Sequence, residues 1–257
     1  MNQTVRINFT KTNGSGADNG YRQQLKDLSR SMESVFPLPS WNGNRTMMYA
    51  DRQTLSRMLY LNNLYQKILG KTGIICEFGV QFGATMSLLT NLRGIYEPYN
   101  YLRRIVGFDT FSGFASGLTE LERDLGWEEG DYGVPAHYQD YLSELLRIHE
   151  TNAPISHRQK FELVSGDIQE TWDRWLHENP STVISLAIFD MDVYAPTKFI
   201  LEKVMERMPK GSILAFDELN YPSFPGETIA VNEVLGIRNL RLETDPNNPA
   251  QAWHIIE

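Results

Sequence analysis

The chain has 257 residues, 41% hydrophobic and 11% aromatic, which supports a sizeable core and excludes a disordered protein. Acids outnumber bases 32 to 24, a net charge of −8 that argues against a nucleic-acid or anionic-membrane binder. The single cysteine, Cys76, excludes an internal disulfide and cysteine-built zinc sites; no run nears the roughly 18 apolar residues of a membrane span, no signal peptide is visible, and the chain reads as soluble and cytoplasmic.

In chain order, residues 1–20 read as a flexible lead-in, with KTNGSGADNG over 11–20. Leu25, Leu28, Met32 and Val35 recur at helical spacing and predict a helix over 21–36, which Pro37 and Pro39 end. A second helix is expected over 45–69, with Leu55, Met58, Leu59, Leu64, Tyr65 and Ile68 on one face and Gly70 as C-cap. Residues 21–70 thus form a helical extension that caps a site or makes a dimer contact, and a homodimer or higher homo-oligomer is expected.

From residue 71 the rhythm changes. Five short apolar runs, GIICEFGV (73–80), RIVGFDTF (104–111), FELVSGD (161–167), ISLAIFDMD (184–192) and SILAFDE (212–218), alternate with helical or long connections. That alternation predicts parallel strands with helices on both faces. A helix from Gly226 to about Leu235 follows, then two strands in LRLETD and AQAWHIIE that pair at one edge. The expected fold class is α/β, a doubly wound, mostly parallel seven-stranded sheet over residues 71–257. The segment 112–138 is too long for an ordinary connection; its glycines and aromatics (Phe114, Trp127, Tyr132, Tyr138) suit a lid.

The five parallel strands end in acids: Glu77, Asp109, Asp167, Asp190 with Asp192, and Asp217 with Glu218. Ligands of open α/β sheets bind beyond these ends. In EFGVQFGATMSLL (77–89), Gly79 and Gly83 permit a tight turn and close backbone approach, but the G-x-G-x-x-G of dinucleotide binders is missing. Asp109, 26 residues after Gly83, is placed to accept both hydroxyls of a ribose. Asp167 reads equally as a contact near an adenine edge or as a helix N-cap, in a capping box with Glu170. Asp190 and Asp192 share strand parity. With Asp217 and Glu218 they offer only oxygen donors, which suit Mg²⁺, Mn²⁺ or Ca²⁺ unless Lys198, Lys203 or Lys210 neutralises them.

The acid-x-Gly-x-x-x-Gly turn resembles motif I of class I S-adenosylmethionine (SAM)-dependent methyltransferases. Asp190, Asp192, Tyr194, Pro196 and Thr197, followed by Asp217–Glu218 at 27 and 28 positions past Asp190, resemble the TylF/MycF family of Mg²⁺-dependent deoxysugar O-methyltransferases. GFDTFSGF (107–114) and GDIQETW (166–172) resemble two further segments of that family, which has Asp-Asp where this chain has Asp217–Glu218. The resemblance implies a Rossmann-like SAM-methyltransferase fold acting on a sugar or glycoside hydroxyl in a natural-product or nucleotide-sugar pathway. It implies Glu77, Gly79, Gly83, Asp109, Thr110, Ser112, Gly166 and Asp167 at the cofactor. Asp190, Asp217 and Glu218 would ligate the metal, and Asp190 or Asp192 would take the proton. A catechol-type O-methyltransferase and a SAM-fold binding protein without turnover are the alternatives; a dehydrogenase fits least.

Overall fold

The computed structural model describes residues 16–31 and 42–257, and the chain divides into two compact units between Leu59 and Tyr60. The smaller unit holds α1 (Gly16–Ser31), α2 (Asn42–Tyr49) and the start of α3 (Arg52–Lys67). Residues 16–20, expected in the lead-in, already belong to α1. The rest of that lead-in, and Met32, Val35, Pro37 and Pro39, lie outside the described residues. The single helix expected over 45–69 is two helices. Asp51 interrupts it: its carboxylate accepts the Thr54 amide at 2.7 Å and faces Arg22 at 3.4 Å, an N-cap that starts α3.

The larger unit is built on β1 (Ile74–Phe78), β2 (Ile105–Asp109), β3 (Phe161–Ser165), β4 (Ile184–Phe189), β5 (Ile213–Phe216), β6 (Glu243–Asp245) and β7 (Asn248–Ile255). They form one seven-stranded sheet in the order β3-β2-β1-β4-β5-β7-β6. The first five run parallel, as the alternation of apolar runs with helical connections predicts, and β7 pairs antiparallel with β5 and β6. The helices are α4 (Ala84–Tyr96), α5 (Glu120–Asp124), α6 (Tyr138–Thr151), α7 (Ile168–Glu178), α8 (Tyr194–Val204) and α9 (Pro225–Val234).

Side chains alternate across the pleat and feed two cores. Ile75, Leu186 and Ile213 pack with Leu64, Ile68, Met86 and Leu146 on one face. Cys76, Phe78, Phe108 and Phe189 pack with Trp172, Trp175, Ile200 and Leu201 on the other. Fully burying each such side chain contributes on the order of 2–3 kcal/mol. Burial pushes the Cys76 thiol well above its ordinary pKa, so it serves as a small core residue. Strand order reverses between β1 and β4, the kind of point at which open α/β sheets bind ligands. Among the described residues no helix is long and apolar enough to cross a membrane.

Candidate active site at the carboxyl ends of the strands

The turn after β1 is held by the acid that ends β2. Asp109 accepts the amides of Val80 at 2.6 Å and Gln81 at 2.8 Å through one oxygen, and of Phe111 at 2.6 Å through the other. A carboxylate has about four acceptor positions, so Asp109 spends most of its capacity shaping this turn. Gly79 has φ +91°, and a Cβ there would lie 1.8 Å from the Asp190 carbonyl oxygen, so the turn after β1 rests directly on the end of β4. Gly83, at φ +74°, starts α4 with no side-chain cap hydrogen bond on the first amides of that helix.

Glu77 is 1% exposed and lies inside β1, which runs one residue further than expected, to Phe78. Thr110 donates to the Gly113 carbonyl at 2.6 Å and accepts from the Ser112 amide at 3.2 Å, so both shape the start of the 112–138 segment. The Gly166 amide donates to the Asp109 carbonyl at 2.9 Å. Asp167 is the N-cap of α7, taking the Gln169 amide at 2.9 Å; the cap is a simple one and not the reciprocal box with Glu170.

Asp190 and Asp217 each follow directly on a strand, with amides tied to Phe78 and Phe189 carbonyls at 2.8 and 3.0 Å. Asp192 is left-handed, at φ 65°, a conformation that costs about 1 kcal/mol or more outside glycine. A residue missed in the sequence joins this group. Glu227 of α9 is fully buried, and its Oε1 accepts the Glu218 amide at 2.9 Å. Burial raises its pKa well above the ordinary carboxylate range. The Glu218 amide offsets part of that rise, while Asp217, Asp192 and Asp190 add to it. Tyr132, from the 112–138 segment, is likewise raised by burial and by Asp192 and Glu218. The four expected acids thus share one neighbourhood with Glu227 and Tyr132.

Two of the three lysines that could have neutralised them are engaged elsewhere, and the third lies at the far end of a strand. Lys198 pairs with Glu233 at 2.8 Å and Lys203 with Asp173 at 3.1 Å, while Lys210 is exposed ahead of β5, at the opposite end of that strand. Even so, among the described residues no group of three or more Asp, Glu, His or Cys is arranged to hold a metal ion.

The 112–138 segment has a core of its own. Leu118, Trp127, Val193 and Phe224 are buried together, with Phe114 and Tyr132 against them. Trp127 stacks on Phe224 at 4.5 Å between ring centres, and its indole donates to the Ser223 carbonyl at 2.8 Å. The segment is therefore docked on the β4–α8 and β5–α9 loops.

Among solved structures, CalS11, a calicheamicin methyltransferase, is 40% identical over 99% of this chain and 97% of its own, with a TM-score of 0.88. The chain belongs to the family of SAM-dependent sugar O-methyltransferases. An apo structure of CalS11, there a TDP-rhamnose 3′-O-methyltransferase of calicheamicin biosynthesis, matches at 39% identity over 94% and 95%, with a TM-score of 0.80. The O-methyltransferase NovP, 16% identical over 78% and 79%, shares the family's fold at a TM-score of 0.60. A scan of family models and a search of curated proteins give no match.

Proposed function

We propose that this chain transfers the methyl group of SAM to a hydroxyl of a deoxysugar carried on a nucleotide or natural product. The observation that carries the reading is full-length likeness at 40% identity to CalS11, a TDP-rhamnose 3′-O-methyltransferase.

The residues present suit SAM. Gly79 and Gly83 hold open the turn after β1, α4 starts without a side-chain cap, and Asp109 and Asp167 ring the same corner. In this reading Glu77, Thr110, Ser112 and Gly166 complete the cofactor side. Bound there, SAM supplies a methyl already activated by its sulfonium charge. The chain then has to aim an acceptor oxygen along the methyl–sulfur axis and remove its proton. With SAM as methyl donor, Asp192 or Asp190 would take the proton that the acceptor hydroxyl gives up. Tyr132 and the docked 112–138 segment shield this reaction from water.

The oxygen donors Asp190, Asp217 and Glu218 suit a hard divalent cation, and the buried Glu227 Oε2 beside them has no hydrogen-bond partner. Those three residues would hold the ion, and it would lower the pKa of the acceptor hydroxyl. An assembly of two or more copies belongs to the same reading.

Two measurements test it. Calorimetry should show SAM binding and no NAD binding, with the reverse result overturning the assignment. Turnover should fall at least about tenfold in EDTA and return with Mg²⁺; turnover indifferent to both would remove the metal while leaving methyl transfer standing.

A further inference from the structure

α8 begins at Tyr194, two residues after Asp192, and its N-cap is Val193, whose side chain cannot accept a hydrogen bond. The cap comes instead from 72 residues upstream: Oε1 of Glu122 accepts the Tyr194 amide at 2.7 Å. Glu122 is 1% exposed, and its other oxygen takes the Thr119 amide at 2.7 Å and the Thr119 hydroxyl at 2.8 Å. One buried carboxylate therefore closes the capping box of α5 and starts α8. Such a group supplies both a hydrogen bond and a negative charge where the helix dipole favours one.

The third wall of this junction is Gly226, in the first turn of α9. A Cβ there would stand 2.3 Å from Glu122 Oε1 and 2.5 Å from the Tyr194 nitrogen, so a side chain would enter the hydrogen bond itself. Segment 112–138, the β4–α8 loop and α9 thus meet at one point. The turn between Asp190 and Tyr194 is pinned at its start by Asp190 N–H on the Phe78 carbonyl at 2.8 Å, and at its end by Glu122. Between the pins lies Asp192 in its left-handed conformation. A strained residue stays in place only while its surroundings hold it there.

We infer that Glu122 is a positioning residue: through the Tyr194 amide it fixes the loop carrying Asp190 and Asp192, and it makes that loop's geometry depend on docking of the 112–138 segment. Its kinetic arm rests on the methyl-transfer reading; its structural arm does not. Glu122→Ala removes the bond from one side, and Gly226→Ala pushes into it from the other while leaving the carboxylate in the chain. Thr119→Ala is the control, because it opens the α5 box without touching the Glu122–Tyr194 bond.

By hydrogen exchange, the Tyr194 amide should exchange at least about tenfold faster in Glu122→Ala and Gly226→Ala, and at the native rate in Thr119→Ala, since that amide loses its one acceptor only in the first two. In turnover, both variants should lose roughly 10- to 100-fold in kcat, the scale of a reacting group displaced by about 1 Å, with SAM affinity by calorimetry unchanged. If Glu122→Ala does not fold, Gly226→Ala carries both readouts. Native exchange at Tyr194 in the folded variants, or an equal loss of kcat in Thr119→Ala, would show that Glu122 merely caps α5 and would overturn the inference. Altered exchange with no methyl transfer in any form of the protein would leave the latch standing and sink the methyl-transfer reading alone.

Discussion

At the amino ends of the strands, Arg103 is 1% exposed and its guanidinium is surrounded by acceptors. It donates to Glu97 at 2.8 and 3.2 Å, to Ser185 at 2.6 Å, and to the carbonyls of Gly73, Ile68 and Lys71. Tyr65 adds a bond to Glu97 at 2.8 Å, and burial followed by that carboxylate raises its hydroxyl far above the ordinary range. At the carboxyl ends, acids of one sign gather around the buried Glu227, and Gln81, Phe111, Tyr132, Asp192 and Asn220 are left-handed without being glycine. Opposite charges and full satisfaction mark the end that stabilises the sheet. Like charges and strain mark the end where the chemistry is proposed, and the rest of the fold must offset their cost.

The sharpest way to break this contrast is to neutralise one acid at each end. Asp192→Asn should cut kcat by roughly 10²- to 10⁴-fold, the usual worth of a general base, with stability nearly unchanged, because asparagine tolerates a left-handed backbone. Turnover and thermal melting together check this, and an active, destabilised variant would reverse the roles of the two ends.

Glu97→Gln should do the opposite: unchanged turnover, but a loss of about 3 kcal/mol at pH 7, because it leaves Arg103 buried without its counter-charge. Burial raises the Glu97 pKa, but the hydrogen bonds from Arg103 and Asn100 and the Arg103 charge outweigh it and hold it below normal. A depressed carboxylate contributes stability that is fully present above its unfolded pKa of about 4.3 and is lost as pH falls through its folded value. Urea titrations of the two proteins should therefore converge on acidification below about pH 4.

The smallest effect is expected at Asp167, which caps a helix and borders the proposed cofactor corner. Asp167→Ala should cost about 1 kcal/mol, or about 2–3 °C in Tm, together with a weaker affinity for SAM. Loss of stability with native SAM affinity would assign Asp167 to the stabilising class despite its place beyond the carboxyl end of β3.

Much of this was legible in the sequence. The five apolar runs gave the parallel strands because two-sided burial leaves continuous stretches of Ile, Val, Leu and Phe, and the acids in or after them marked the carboxyl ends of the strands. Asp51 hid the break between α2 and α3, because an N-cap inside a continuous apolar face leaves the periodicity intact. Glu122 carried a signal in Thr119-x-x-Glu122, a capping-box pattern, but its second partner lies 72 residues away and no local pattern shows it. Glu227 carried none: a buried glutamate reads as a solvated one until the fold wraps it. Asp109 was placed correctly at the end of β2, while its hold on the Val80 and Gln81 amides depends on how the turn after β1 closes.

Under the proposed function, the acid-rich ends of the sheet transfer a methyl group from SAM to a sugar hydroxyl. Incubating the full chain with methyl-labelled SAM, Mg²⁺ and a panel of nucleotide-linked deoxysugars tests it most directly, with the product read by mass and NMR. Label is expected on one sugar oxygen, and none when both Asp190→Asn and Asp192→Asn are present. A protein that binds SAM yet labels no sugar, or one whose variant with both Asp190→Asn and Asp192→Asn labels it as well as the native chain, would contradict methyl transfer at these strand ends.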